Sequence, residues 1–252
     1  MPRFFIQREQ VCEDTIRLCG EDAHHIARSL RMAVGDELTV CDMQGREYDC
    51  TIESFDDDRE VLVRICASRQ SEREPLCRII VFQALPKGDK LDTVIQKAVE
   101  CGAFSIIPFE SERCVVRVKP EAEQRKTERR QKISAEAAKQ CGRSVIPQVA
   151  SMVDFEEMLS RASKCDVRLF CYEGDGTEPL GNVLQTVKET LKTSGATVAV
   201  VIGSEGGFSQ HEVERAKACG LVPVGLGKRI LRTETASGFV LSCLVYVTEL
   251  GG

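Results

Sequence analysis

Two glycine-rich segments in the C-terminal third of the chain carry residues whose types and spacing could do chemistry. The first is GSEGGF, residues 203–208, and the second is GLGKRILRTETA, residues 225–236. Glycines let a backbone turn tightly and approach a ligand closely. The segments also contain charged side chains, including Glu205, Arg232 and Glu234, that could orient a substrate or stabilise charge on it.

These segments do not match the common nucleotide-binding patterns. The first lacks the G-x-G-x-x-G spacing, and no acidic residue ends the next strand, LVPVGLG, to hold a ribose 2′-hydroxyl. A dinucleotide-binding dehydrogenase is therefore excluded, and so is a P-loop, because no Gly-Lys-Ser/Thr follows the strand. Tight turns without a ligand would explain either segment alone. Two such turns at consecutive strand ends indicate a ligand site instead.

The elements that position these segments alternate between strand and helix patterns. From Leu76 onward, apolar runs such as CRIIVFQAL and TVAVVIG alternate with amphipathic helices. This order predicts an α/β domain with a mostly parallel sheet and helices on both faces. Ser209 and Glu212 predict a capping box for the helix SQHEVERAKACG. The helix DKLDTVIQKAVECG is expected to stop at Gly102 and to bury one face, made by Leu91, Val94, Ile95, Ala98 and Val99.

Residues 1–70 follow a different pattern. Four β-rich runs, separated by Gly or Asp clusters at roughly ten-residue spacing, predict a small barrel or sandwich. The polar run SRQSEREP marks the boundary, which gives domains 1–72 and 73–252. Between the first two runs we expect a short helix with His25, Arg28 and Arg31 at helical spacing. Those side chains form either a plain polar surface or a binding site for a backbone phosphate.

Charge is spread unevenly along the chain. The net charge of −5 argues against indiscriminate nucleic-acid binding, and residues 1–72 hold nine Arg, no Lys and sixteen Asp or Glu. Residues 113–143, by contrast, hold ten Lys or Arg against four Glu. This basic segment is either the solvated face of a long helix or a surface that binds phosphates.

The cysteines and the hydropathy pattern argue against metal sites and membrane spans. The closest two of the thirteen cysteines, Cys165 and Cys171, are six residues apart, so no C-x₂-C motif exists. Most lie among apolar residues, where a reduced cysteine packs as a small apolar side chain. The N-terminus lacks a signal-peptide pattern, and no apolar run could span a bilayer. We expect a cytoplasmic protein without metal.

The last helix predicts a partner subunit. Residues Ala236–Val247 are apolar on nearly every side, so this helix is expected to be buried all round. A single domain rarely encloses its final helix so fully.

Taken together, GSEGGFS and LGKRILRTETA resemble the signature of the SPOUT-class RNA methyltransferases. More narrowly, they are similar to the bacterial enzymes that methylate N3 of a uridine in 16S ribosomal RNA. Similar stretches extend over nearly the whole chain: PRFF, HHIARSLRMAVGDEL, ALPKGDKLDTVIQKAVECG with IIPF, and EAAKQCGRSVIPQV. One departure is Ser204, where family members commonly have proline.

The resemblance implies a knotted (SPOUT) sheet with a C-terminal trefoil knot, S-adenosylmethionine (SAM) bound within the knot, and an obligate homodimer. The N-terminal part resembles a PUA-like β-barrel that binds RNA. The implied substrate is 16S rRNA within the assembled 30S subunit. Two alternatives stay open: a SPOUT enzyme acting on another RNA such as tRNA, and a non-catalytic RNA-binding or ribosome-assembly protein with a vestigial SAM pocket.

The resemblance, read with the residue chemistry, also assigns roles within the site. Arg232 is expected to stabilise charge on the uracil oxygens. Glu205 or Glu234 could act as the base if desolvation raises its pKa, or could instead cap a helix or bind an arginine. RNA contacts are expected from Arg3, His25, Arg28, Arg31 and Arg143. Cofactor contacts are expected from Phe170, Tyr172, Glu173, Ile202, Gly203, Glu205, Gly206, Gly207, Leu226, Gly227, Ile230, Leu231 and Thr233.

Overall fold

The structure, a computed structural model, describes residues 1–56, 59–116 and 120–251, without the side chains of 120–122. The chain divides into two compact units. The first comprises Met1–Glu74 together with Ala138–Ile146, and the second comprises Pro75–Ala137 and Pro147–Gly252. Residues 138–146, which follow the boundary expected from the sequence, thus belong to the N-terminal unit. A polar linker marks where the chain leaves a unit, but it gives no sign that a later segment returns to it.

The first unit is built on a six-stranded sheet. Its strands are β1 (Arg3–Phe5), β2 (Val11–Cys12), β3 (Thr15–Cys19), β4 (Glu37–Cys41), β5 (Arg46–Asp56) and β6 (Glu60–Gln70). Their order in the sheet is β1-β4-β5-β6-β3-β2. Strands β1 and β4 are parallel, and the other neighbours are antiparallel. A short helix, α1 (Glu21–His24), continues as a wider helical turn over His25–Ser29.

Alternation along these strands forms the core of the first unit. In β3, Ile16 and Leu18 are buried and the residues between and beside them are not. In the paired strand β6, Val61 and Val63 are likewise buried, and Leu62 between them is only partly buried. Because side chains on a strand point to opposite faces in turn, each strand gives one face to a shared apolar cluster.

The second unit has a seven-stranded sheet. Its strands are β7 (Arg78–Ala84), β8 (Ser105–Phe109), β9 (Gln148–Val149), β10 (Val167–Cys171), β11 (Glu178–Pro179), β12 (Thr197–Ile202) and β13 (Val222–Gly225). Their order in the sheet is β11-β13-β10-β12-β7-β8-β9, and each pairing is parallel in the part of the chain described. Its helices are α2 (Lys90–Glu100), α3 (Pro120–Cys141, whose last residues belong to the first unit), α4 (Phe155–Ala162), α5 (Leu180–Thr186), α6 (Lys188–Leu191), α7 (Gln210–Ala218) and α8 (Thr233–Val245). This architecture confirms the predicted α/β fold.

Two local predictions in this unit are confirmed in detail. The buried residues of α2 are the five expected from the apolar spacing. Its chain turns after Cys101 at Gly102, whose φ of 83° suits glycine. At α7, the Ser209 side chain accepts from the Glu212 N–H while the Glu212 carboxylate accepts from the Ser209 N–H. Both patterns depend on neighbours in sequence, which is why the sequence predicts them.

The last helix is only partly buried in the single chain, and its burial on all sides with the help of a partner subunit stays a prediction. One face of α8 packs inward through residues such as Val240, Leu241 and Leu244. The opposite face leaves Phe239 41% exposed and Tyr246, in the wider turn that follows α8, 63% exposed. Among the described residues, no helix is both long and apolar enough to cross a membrane.

Candidate active site

A cavity of about 460 Å³ lies at the carboxyl ends of β10, β12 and β13. In a parallel sheet these ends lie along one edge, so the loops that follow the three strands come together there. Arg232 and eleven of the thirteen residues expected to contact a cofactor line this cavity. The eleven are Tyr172, Glu173, Ile202, Gly203, Glu205, Gly207, Leu226, Gly227, Ile230, Leu231 and Thr233.

The other two expected cofactor residues, Phe170 and Gly206, do not line the cavity. The Phe170 ring is fully buried and lies 4.3 Å, centroid to centroid, from Phe208, which does line it. A Cβ at Gly206 would lie 3.0 Å from the Cβ and 3.1 Å from the carbonyl oxygen of Arg113. The Arg113 guanidinium also donates to the Gly206 carbonyl at 3.1 Å. Arg113 therefore leaves little room for any side chain at position 206, which accounts for the glycine there.

Several residues that the sequence analysis did not single out for the cofactor also line the cavity. They include Lys90, Cys171, Thr177, Ser204, Phe208, Gly225, Lys228, Arg229 and Ala236. Most belong to the same loops and follow from them directly. Lys90 is different, because it comes from the start of α2, far before all of these loops in the sequence. The signal for it is the strand order: β7, which precedes α2, pairs with β12.

A buried polar network lies beneath the cavity. Gln83 is fully buried at the end of β7, and its Nε2 donates to the Ala84 carbonyl at 2.9 Å and to Thr233 Oγ1 at 2.8 Å. Thr233 Oγ1 in turn donates to the Gly203 carbonyl at 2.6 Å. This chain of hydrogen bonds joins β7, the start of α8 and the loop after β12. The Thr233 hydroxyl thus accepts one hydrogen bond and donates another to groups of the protein itself.

The Ser204 hydroxyl has no hydrogen-bond partner within the described residues, although its oxygen is buried. The residue is 8% exposed and lines the cavity. A buried hydroxyl without a partner costs free energy unless a ligand or water binds it. Ser204 therefore adds hydrogen-bonding capacity at the position where a proline would add none from its side chain.

The Glu205 carboxylate joins its loop to the start of α2 by hydrogen bonds. Its carboxylate accepts from Lys90 Nζ at 2.7 Å and from the Lys87 backbone N–H at 3.2 and 3.3 Å. Burial by itself would raise the pKa of Glu205, but the hydrogen bonds from Lys90 and from backbone N–H groups outweigh it and lower the pKa. A base role for Glu205 was expected only if desolvation raised its pKa, and that condition is not met.

Arg232 and Glu234 lie at the start of α8. Arg232 is the N-cap residue, has an exposed side chain and lines the cavity. Glu234 is in the first turn, where the partial positive charge of the helix end favours a carboxylate. Its Oε2 lies 3.8 Å from Lys90 Nζ. The carboxylate of Glu234 thus faces a lysine, whereas the sequence suggested an arginine as its partner.

In the first unit, two of the five residues expected to bind RNA are paired with carboxylates. Arg3 Nη1 lies 2.9 Å from Glu47 Oε1, and the Arg3 side chain is 10% exposed. Arg143 is 5% exposed, and its Nε donates to Glu74 at 3.1 Å. Both guanidinium groups form ion pairs within this unit, and little of either side chain is exposed to contact RNA. The side chains at His25, Arg28 and Arg31 are exposed.

Comparison with known proteins places the site in a family. A family model described as an RNA methyltransferase domain matches residues 72–245, and one described as an RNA methyltransferase PUA domain matches residues 18–66. The chain is 36% identical over 253 residues to the ribosomal RNA small subunit methyltransferase E of Bacillus subtilis, covering 99% of this chain and 98% of that protein.

Two solved structures are similar over nearly the full length. A ribosomal RNA small subunit methyltransferase E from Neisseria gonorrhoeae, bound to SAM, superposes with a TM-score of 0.83 at 27% identity and covers 98% of both chains. A putative methyltransferase from Legionella pneumophila, also in complex with SAM, gives 0.81 at 30% identity and covers 96% of both. This chain belongs to the RNA methyltransferase family that contains the ribosomal RNA small subunit methyltransferases E.

Proposed function

We propose that this protein transfers a methyl group from SAM to N3 of a uridine in 16S rRNA, with the 30S subunit as substrate. The observation that carries this proposal is the cavity itself, in which two glycine segments and Arg232 meet. Its volume of about 460 Å³ is within the range of cavities that bind small molecules. The named relatives act on small-subunit rRNA, and two structural neighbours hold SAM.

The residues of the cavity fit SAM in their chemistry. Backbone N–H and C=O groups of the two glycine segments can bind the edge of an adenine, and Ile202, Leu226 and Leu231 supply apolar walls for its faces. The unpaired Ser204 hydroxyl supplies a further hydrogen bond. The Glu173 carboxylate lies at the cavity, where it suits a ribose hydroxyl or the amine of the amino-acid part. Bound SAM would supply a methyl group on a sulfonium sulfur.

The protein's own contribution to the reaction is positioning and charge stabilisation. The uracil imide is a weak acid, so N3 attacks well only when negative charge on O2 and O4 is stabilised or the N3 proton is removed. The Arg232 side chain carries a planar guanidinium group and lies on the cavity lining. We assign charge stabilisation to Arg232. Glu205 holds the loop around the cofactor through the Lys90 ammonium group and a backbone N–H at position 87.

A homodimer accounts for the exposed face of the C-terminal helix. Phe239, Cys243, Tyr246 and Leu250 recur at helical spacing, and the three larger apolar side chains are 41–72% exposed. Ile230, in the second glycine segment, is 87% exposed. Apolar surface of this kind is covered in most soluble proteins by a partner. We assign a second copy of this chain to that face.

The RNA is expected to be held by more than the cavity. A base in folded RNA must be splayed out to reach a methyl donor, which requires further contacts with the backbone. We assign these contacts to the exposed side chains of His25, Arg28 and Arg31 in the first unit. All thirteen cysteines are free thiols, which supports a reducing compartment such as the cytoplasm.

Methylation of ribosomal particles tests the proposal directly. 30S subunits from a strain that lacks this protein are incubated with the purified chain and radiolabelled SAM, and the modified nucleotide is mapped. Incorporation at N3 of a single 16S uridine is expected. Incorporation into tRNA, with none into 30S, would favour the alternative SPOUT substrate. SAM binding without transfer to any RNA would instead favour the non-catalytic alternative.

A further inference from the structure

One lysine outside both glycine segments reaches the cavity from a distant part of the chain. Lys90 is the first residue of α2, and its side chain is one-third exposed. Its Nζ lies 2.7 Å from Glu205 Oε1 and 3.8 Å from Glu234 Oε2. The lysine therefore contacts both the loop after β12 and the first turn of α8.

The helix to which Lys90 belongs does not explain its position. The N-terminal end of a helix has partial positive charge, so a cation in the first turn is disfavoured. The two carboxylates offset that cost, since each lies close enough to interact with the ammonium group. A hydrogen bond to Glu205 also raises the pKa of Lys90, which keeps the amine charged.

The two carboxylates in turn depend on Lys90. Like charges near one another repel unless a cation lies between them. Glu205 has a second donor in the Lys87 backbone N–H, but the buried Oε2 of Glu234 has no hydrogen-bond partner among the described residues. Without the ammonium group, this buried oxygen of Glu234 would lose the cation that lies 3.8 Å from it, at the helix start that Arg232 precedes.

We propose that Lys90 is a positioning residue of the methyl-transfer site, which joins the cofactor loop at Glu205 to the helix start at Glu234. By holding these two segments together it fixes the walls of the cavity and the position of Arg232. Its effect acts on the affinity for SAM and on turnover, and leaves the affinity for RNA unchanged. The inference rests on the proposed function, because it takes this cavity as the SAM site.

Lys90→Met and Lys87→Met form a matched pair of variants. Lys87 lies three residues away and reaches Glu205 through its backbone N–H, which the substitution keeps. Calorimetry with SAM and steady-state kinetics on 30S subunits are measured for both. We expect Lys90→Met to bind SAM roughly three- to tenfold more weakly and to lose turnover, with an unchanged KM for 30S, because a partly exposed ion pair is broken. Lys87→Met should match the wild type.

Three further measurements separate positioning from other roles. Lys90→Arg, which keeps the charge, should recover most of the SAM affinity. Glu205→Gln alone should weaken SAM binding, and the double variant Lys90→Met with Glu205→Gln should be little worse than either single one, since both break the same contact. Thermal unfolding should give similar midpoints for Lys90→Met and Lys87→Met.

The opposite results would overturn the inference. Wild-type SAM affinity in Lys90→Met, fully additive effects in the double variant, or a raised KM for 30S with unchanged SAM affinity would each show that Lys90 does not position this site. A large loss of thermal stability confined to Lys90→Met, without recovery in Lys90→Arg, would show a structural role only. Failure of the wild-type chain to bind SAM would overturn the proposed function, and this inference with it.

Discussion

Replacing Thr233 with valine removes the central hydroxyl of the network beneath the cavity while nearly keeping the volume of the side chain. The hydroxyl accepts from Gln83 at 2.8 Å and donates to Gly203 at 2.6 Å, and the residue is 5% exposed. Removing a buried partner leaves the groups it satisfied without hydrogen bonds, at a cost of about 1–3 kcal/mol. Gln83 is fully buried, so water has little access to its amide.

The geometry sets the expected loss of stability toward the lower part of that range. Gln83 Nε2 keeps its bond to the Ala84 carbonyl, and it already lies 3.4 Å from the Gly203 carbonyl. A small movement of the amide would therefore satisfy Gly203 again. We expect Thr233→Val to lose about 1–2 kcal/mol of unfolding free energy. SAM should bind several-fold more weakly, because the loop after β12 loses its anchor to α8.

Urea unfolding and calorimetry with SAM measure the two effects on the same samples. Thr233→Ser is the matched control, since it keeps the hydroxyl and loses only a methyl group, and it should retain SAM affinity. Equal stability and SAM affinity in Thr233→Val and the wild type would refute the role of the network. A loss of SAM affinity without any loss of stability would show instead that the hydroxyl binds the cofactor directly.

Three other predictions concern separate parts of the molecule. Arg232→Ala should keep SAM affinity and lose most turnover on 30S subunits in single-turnover assays, and normal turnover would contradict its role. Phe239→Glu should shift a dimer toward monomer in sedimentation, whereas a stable wild-type monomer would contradict the assigned interface. Burial by itself would raise the pKa of Glu47, but hydrogen bonds from Arg3 and Ser71 and the nearby charges lower it. The stability that Glu47 gives is therefore present above the ordinary glutamate pKa and is lost as the pH falls through the lowered one. Glu47→Gln should remove about 3 kcal/mol near pH 7, because it takes away the carboxylate that pairs with the Arg3 guanidinium, and it should flatten the acid side of the pH–stability curve. Equal acid sensitivity in both proteins would count against this prediction.

The parts of the fold that depend on neighbours in sequence were predictable. The buried face of α2 and the capping box of α7 follow from spacings of three and four residues, which are contacts within one helix. The cavity followed from the rule that ligands bind at the carboxyl ends of parallel strands. Even there, Phe170 is not among the residues that line the cavity, because its ring packs against Phe208.

Contacts between distant parts of the chain were not predictable from the residues alone. Arg3 and Arg143 look like phosphate-binding residues until their partners Glu47 and Glu74 are known, at separations of 44 and 69 residues. The place of residues 138–146 in the first unit is of the same kind. The trefoil knot, which the resemblance implies, stays a prediction. Chain-threading rules disfavour such a path, and no periodicity encodes it.

The hydrogen bonds that hold the Glu205 carboxylate bear on how the N3 proton would leave the uracil in the proposed reaction. A carboxylate whose pKa is lowered is a weaker base than an ordinary glutamate, so it gains little by accepting a proton from an imide. Its ion pair with Lys90 would also have to break before it could turn toward a substrate. Stabilising the uracil anion places no such demand on Glu205, because the Arg232 guanidinium on the cavity lining can do it. We therefore propose that the reaction depends on the positive charge of Arg232, with the N3 proton passing to solvent or to a group of the RNA.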